Sequence, residues 1–136
     1  MSDKTFVLTV VTPQRRVFQE AVNMVIARTV DGDIGILPGH APLVAPLEIG
    51  AATIKTPTGE RKAALNGGFI EVNPDQVVLL TESAEMAEEI DVSRAEEAKN
   101  RALARLEKKQ ASIDHARAQA ALQRAVIRLR VAGRED

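Results

Sequence analysis

The chain has 136 residues, 18 basic and 19 acidic, for a net charge of -1, with no cysteine, tryptophan or tyrosine and three phenylalanines. This composition excludes disulfides, thiolate metal sites and cysteine nucleophiles. It also argues against a dedicated nucleic-acid binder, which carries a basic excess or stacking aromatics.

The opening residues Met1-Ser2-Asp3-Lys4-Thr5 lack the basic-then-apolar head of a signal peptide. The longest uncharged run, residues 34–47, is too short to span a bilayer and is broken by Pro38, Pro42 and Pro46. A soluble, cytoplasmic chain is expected, brought to a membrane only by a partner. All six prolines, and every glycine except Gly133, lie before residue 84. There, turn signals (Thr12-Pro13, Asp31-Gly32, Pro38-Gly39, Pro57-Thr58-Gly59, Gly67-Gly68, Asn73-Pro74-Asp75) separate short β-branched runs. The runs predict strands over 6–12, 22–30, 51–56, 63–66, 69–72 and Gln76–Thr81, with a tight turn at Gly67-Gly68. Short strands at this spacing read as a β-sandwich or barrel. The apolar, turn-punctuated 32–46 stretch suits either ordinary loops or a contact surface.

After residue 84, alanine and other good helix formers dominate. Asp91 suits the N-cap of a first helix, with Glu96 and Glu97 near its positive end. Val92, Ala95, Ala98, Ala102 and Leu106 recur at helical spacing. Ser112 or Asp114 can open a second helix, whose stripe is Ala118, Leu122, Ala125, Leu129 and Ala132, ended by Gly133. A turn within 109–114 would make an αα-hairpin. Its stripes are mostly alanine, so each contact buries little apolar area, and the hairpin is expected to be weakly held.

Arg94, Arg101 and Arg105 follow a +7, +4 spacing, as do Arg117, Arg124 and Arg128, which lines guanidinium groups along one face of each helix. Solvated ion pairs are the plain explanation; a polyphosphate or an acidic partner surface is the sharper one. No glycine-rich phosphate cradle is present. His40 and His115 fall in different halves, the serines lack a nucleophile-elbow setting, and no carboxylate pair sits in an evident apolar pocket. The chain reads as a non-enzyme.

Gly35-Ile36-Leu37-Pro38-Gly39-His40-Ala41-Pro42-Leu43, Asn66-Gly67-Gly68-Phe69-Ile70-Glu71-Val72 and Ile90-Asp91-Val92-Ser93-Arg94-Ala95, in this order, resemble the epsilon-subunit family of bacterial F-type ATP synthases, in particular its Bacillus-like, ATP-binding members. The resemblance covers essentially the whole chain. It implies an all-β N-terminal flattened sandwich of about ten strands (1–84) that binds the gamma subunit and the c-ring, with Asp33 and His40 as partner contacts. It implies a C-terminal α-helical hairpin (85–136) that extends toward the alpha/beta catalytic head and restrains ATP hydrolysis. ATP-binding members use an Ile-Asp-x-x-Arg-Ala motif, matched at Ile90, Asp91, Arg94 and Ala95; Glu85 upstream and Arg101, Arg124 and Arg128 beyond also match. ATP is therefore expected as a regulatory ligand of the compact hairpin, and the sequence does not require magnesium. Glu85 or Asp91 would accept from the adenine amino group or a ribose hydroxyl, and the arginines would take the phosphates. The plainer role of Asp91 is helix capping, with Arg94 paired to nearby glutamates. The resemblance places the chain peripherally on the cytoplasmic face of the bacterial cell membrane, as part of the rotor. The alternative function is a nucleotide-sensing adaptor with a coiled-coil arm and no rotary role.

Overall fold

A computed structural model describes residues 4–108 and 114–134. Eight strands come first: β1 (Phe6–Val11), β2 (Arg16–Val22), β3 (Met24–Thr29), β4 (Gly32–Ile36), β5 (Leu43–Thr56), β6 (Gly59–Val72), β7 (Gln76–Thr81) and β8 (Ala84–Met86). A single 3-10 turn (Ala87–Glu89) leads into two helices, α1 (Val92–Glu107) and α2 (His115–Val131). The strands are hydrogen-bonded in the order β2-β1-β7-β6-β5-β3-β4, with β8 also on β6. All pairs are antiparallel except β1 with β7.

Period-two alternation sends one side of every strand inward. Leu8 and Val10 of β1, Ile36 of β4, Ile54 of β5, Ile70 of β6 and Leu79 of β7 are fully buried in one apolar cluster fed by all eight strands. This is the expected N-terminal β-layered unit followed by a helical pair, with eight strands where about ten were expected.

Three local expectations are corrected. The 22–30 run is two strands, because β2 ends at Val22 and β3 starts at Met24. Asn23 makes the corner: its backbone N–H donates to the Lys55 carbonyl at 2.7 Å and its side-chain amide to the Lys4 carbonyl at 3.1 Å. Next, much of the 32–46 stretch is strand, and Pro46 lies inside β5. The β3 ladder on β5 ends at Leu47, and just past it Pro46 takes part as an acceptor, its carbonyl receiving the Val30 N–H at 3.3 Å, so the missing N–H is tolerated. Finally, Gly67-Gly68 is not a turn but the middle of β6. Gly68, at φ +118, approaches β7 so closely that a Cβ there would lie 1.9 Å from the Leu80 carbonyl oxygen. Only a residue without a side chain fits that approach.

The helices begin as the sequence indicates. Asp91 accepts from the Arg94 N–H at 3.1 Å and Asp114 from the Arg117 N–H at 3.0 Å, each an N-cap. Glu96 and Glu97 fall beyond the first turn of α1, which contains no acidic residue. Ser112 and most of the predicted inter-helix turn lie outside the described residues. Gly133, at φ +77, closes α2, with Arg134 N–H donating to the Leu129 carbonyl at 2.8 Å. Ala95 and Ala102 of α1, with Ala118, Ala125 and Leu129 of α2, are the buried stripe residues. Against the sheet the contact is smaller: Ala64, Ile90 and Val131, joined by Ala51, Ala87, Ile127 and Ala132. Few large side chains hold the hairpin down, in keeping with weak attachment.

Candidate functional site

β8, the N-terminal half of α1 and the C-terminal half of α2 meet at one corner. Residues 94, 98 and 101 share one face of α1 because they recur at +4 and +3. Together with Ala95 of that helix, Ser83, Glu85 of β8, the cap residue Asp91 and Arg128 of α2, they line a cleft of about 330 Å³. Arg124, one turn before Arg128, borders a small adjoining recess that shares Ser83, Glu85 and Arg128. Of the eight nucleotide-site candidates, six therefore share one cleft and Arg124 its neighbour. Ile90 instead packs beneath it against Ala64 and Val131. Arg105 and Arg117, members of the same arginine rows, do not line the cleft.

The charges in the cleft are unequal. Three guanidinium groups, Arg94, Arg101 and Arg128, face two carboxylates, Glu85 and Asp91. Arg128 Nε donates to Glu85 Oε1 at 2.6 Å, a half-buried ion pair that ties α2 to β8. No described residue forms an ion pair with Arg94 or Arg101. Arg94 is thus not paired with a neighbouring glutamate, whereas Asp91 does cap its helix. An excess of guanidinium at a concave junction suits an anion with several oxygens.

Sequence reasoning missed the clamp beside this cleft. Glu89 accepts from Arg15 at 2.8 Å and from the Met86 N–H at 2.9 Å. Both bonds, Arg15 first, hold its carboxyl below the usual carboxylate range. Glu88 is lowered by its own backbone N–H and then by Arg61, which donates to it at 2.5 Å. Arg61 also reaches Glu20 at 3.5 Å and lies 5.5 Å over the Phe18 ring. The 3-10 turn is thereby fixed to the sheet before the chain enters α1. The partners are up to 74 residues apart, so no local signal could have found them.

Asp33 and His40 lie elsewhere. Asp33 pairs with Arg28 across the β3–β4 hairpin at 3.4 Å and borders a groove of about 560 Å³ between α2 and the sheet. His40 follows β4, with Nδ1 2.7 Å from the Ala41 carbonyl oxygen. Among the described residues, no three His, Asp or Glu side chains group to hold a metal ion.

A layered β unit carrying a two-helix appendage is a recognised pairing. Residues 5–87 match the family model of the ATP synthase delta/epsilon chain β-sandwich domain, and residues 88–133 match that of the delta/epsilon long α-helix domain. The chain therefore belongs to the delta/epsilon chain family of ATP synthase. It is 52% identical over 130 residues to the ATP synthase epsilon chain of Bacillus velezensis, across 96% of this chain and 98% of that one. It is 50% identical over 128 residues to the epsilon chain of Bacillus mycoides, across 94% and 96%. A chain of the Euglena gracilis mitochondrial ATP synthase, solved as OSCP/F1/c-ring, matches with a TM-score of 0.76 and 27% identity over 88% of this chain and 76% of its own. A chain of the Tetrahymena thermophila mitochondrial ATP synthase central stalk and c-ring shares the fold, with a TM-score of 0.58 at 12% identity over 97% and 99%. Members of this family are structural subunits of the synthase, a membrane-associated complex. No helix among the described residues is long and apolar enough to cross a membrane.

Proposed function

We propose that the chain is the central-stalk (rotor) epsilon subunit of a proton-translocating F-type ATP synthase, peripheral on the cytoplasmic face of a bacterial cell membrane. In this reading the β half, residues 1–84, joins the gamma subunit to the c-ring. The hairpin, residues 85–136, extends toward the alpha/beta head and restrains ATP hydrolysis, and its compact form binds ATP. Likeness to epsilon chains along nearly the whole length supports the stalk role.

One observation carries the nucleotide part: Arg94 and Arg101 of α1 and Arg128 of α2 converge with Glu85 and Asp91 on one cleft. Its volume, about 330 Å³, falls within the range of small-molecule sites. Phosphate oxygens there relieve the crowding of like charges and link the two helices through charge-assisted hydrogen bonds. Glu85 and Asp91 supply acceptors for an amino or hydroxyl group. Only the compact arrangement assembles β8, α1 and α2 around the ligand, so binding favours that arrangement by differential affinity. An extended, inhibitory hairpin is opposed to the same extent. The role is regulatory and involves no bond-making by this chain.

The test is a thermal-melt titration of the isolated chain with ATP. The midpoint should rise with ligand concentration. Arg94→Ala and Arg101→Ala should each weaken binding about ten-fold or more, the loss of a charge-assisted phosphate contact. Lys55→Ala, on β5, should respond like the wild type. No rise for the wild type, or equal rises for all four proteins, would sink the nucleotide site.

A further inference from the structure

α2 does not lie flush on the sheet. Its apolar contact runs through Ala64, Ile90 and Val131, with Ala51 and Ile127 packed against them. Beyond that contact the two layers part, leaving the groove of about 560 Å³ that Ala51 and Ile127 also border. β5 gives the groove its shape. β3 and β5 pair at Ile26 with Thr53 and again at Thr29 with Leu47, so three steps on β3 face six on β5. A surplus of this kind bulges and re-aims side chains. A regular strand would turn every second residue toward the groove, but Glu48, Ile49, Gly50 and Ala51 all border it. Gly50 leaves room for the Arg28 stem to lie against the bulge, since a Cβ there would sit 2.7 Å from the Arg28 Cβ.

The walls are aliphatic. Ile26 and Ile49 on the sheet side, and Leu122, Val126 and Ile127 on α2, all stay part-exposed, because neither layer fully covers the other here. The charged lining is mostly engaged. Arg28 pairs with Asp33 at 3.4 Å, and Arg130 has a contact of its own. Glu48 differs: it is part-exposed, and no described residue forms an ion pair with it. A neutral apolar filler would strip water from that carboxylate and put nothing in its place. An anion would meet it as a like charge and would have to draw Arg28 away from Asp33. The ligand that matches this groove joins an apolar body to a cationic head.

We infer that this groove is a binding site, separate from the nucleotide cleft, for a small organic cation of the arylalkylamine kind, with its ammonium on Glu48 and its body between Ile26, Ile49, Leu122 and Val126. The volume falls within the range of small-molecule sites, and an aliphatic lining with one well-placed charge is their usual make-up. The ligand touches β5 and α2 together, so it binds the docked hairpin and holds α2 on the sheet by differential affinity. Ile127 borders both this groove and the recess beside the nucleotide cleft, so α2 lies between two hollows whose occupants favour the same arrangement. The site uses none of the cleft residues and goes beyond the nucleotide reading without depending on it.

The experiment titrates the isotope-labelled full-length chain, at neutral pH and without nucleotide, with phenylbutylammonium and follows it by two-dimensional NMR. Phenylbutanol and phenylbutyrate, which keep the body and change the head, are run alongside. The cation should give saturable shifts across residues 48–53 and 119–127 and bind about ten-fold tighter than the alcohol, the worth of one charge-assisted contact, with the butyrate weaker still. Glu48→Gln should bring the cation to the level of the alcohol, with an unchanged melting midpoint and ATP response. Leu122→Gln, a change to another good helix former, should weaken cation and alcohol alike. Amide exchange across α2 should slow as the cation saturates. Absence of saturable shifts in the groove, a cation no tighter than the butyrate, or a Glu48→Gln chain that binds the cation like the wild type overturns the site. Binding that leaves α2 exchange unchanged overturns its hold on the hairpin. Should Glu48→Gln lower the melting midpoint, the three head groups on the wild type decide the matter alone. The ATP response is read separately, so failure here leaves the nucleotide site standing.

Discussion

Arg128→Ala should loosen the hairpin without touching the sheet. The Arg128–Glu85 contact is short, 2.6 Å, and both side chains are about one-third exposed. Solvent screens the pair in part, so it is worth less than a buried charge-assisted bond and more than a surface one, about 1–2 kcal/mol. That is a substantial share of what docks α2, whose apolar anchorage is Val131, Ile127 and Ala132 against Ala51, Ala64, Ala87 and Ile90, alongside a Gln123 side-chain hydrogen bond to the Ile49 carbonyl at 3.4 Å. A loss of that size changes a local open-to-closed ratio by a factor of roughly 5–30. Amide hydrogen exchange reads it directly. Protection across His115–Val131 should fall by that factor, while amides of β5 and β6 keep theirs. Arg124→Ala is the control: no described residue forms an ion pair with Arg124, so its helix should stay protected. Unchanged protection in Arg128→Ala, or equal loss in the sheet and α2, would refute the view that this pair latches a separable module.

Two further outcomes follow from the same geometry. Gly68→Ala should destabilise the chain by on the order of 3 kcal/mol, since the added Cβ meets backbone in a left-handed conformation; a melting midpoint within about 2 °C of wild type would contradict it. The clamp should weaken in acid. Glu88 and Glu89 have folded values below the ordinary 4.5, so their contribution is complete above that pH and is lost as pH falls through the lowered values. Melting midpoints from pH 6 down to about 3 should therefore drop less steeply in a Glu88→Gln/Glu89→Gln double variant than in wild type, and parallel curves would exclude the clamp as a source of the acid response.

Much of this protein is decided within short windows of sequence. The loss of proline, and of all glycines but Gly133, after residue 84 separates strands from helices because both residues break a helix interior. Asp91 and Asp114 cap their helices through bonds to residues three positions on, so each start is a local event. The +3 and +4 spacing that puts Arg94, Ala98 and Arg101 on one face is likewise fixed by helical geometry alone. Other features depend on which strands become neighbours. Gly67-Gly68 reads as a turn in isolation and is strand in the fold, because β7 requires a residue without a side chain beside Leu80. Pro46 is allowed in β5 because it lies past the end of β3, where it serves as an acceptor for the Val30 N–H and no ladder bond needs its own. The Arg15–Glu89, Arg61–Glu88 and Arg128–Glu85 pairs join residues 27 to 74 positions apart. Val44, Glu71 and Val78 come into one row only once register aligns β5, β6 and β7. Local sequence sets backbone preference and the face a side chain takes; which faces and charges meet is set by long-range pairing, where burial of a shared core outweighs local propensity.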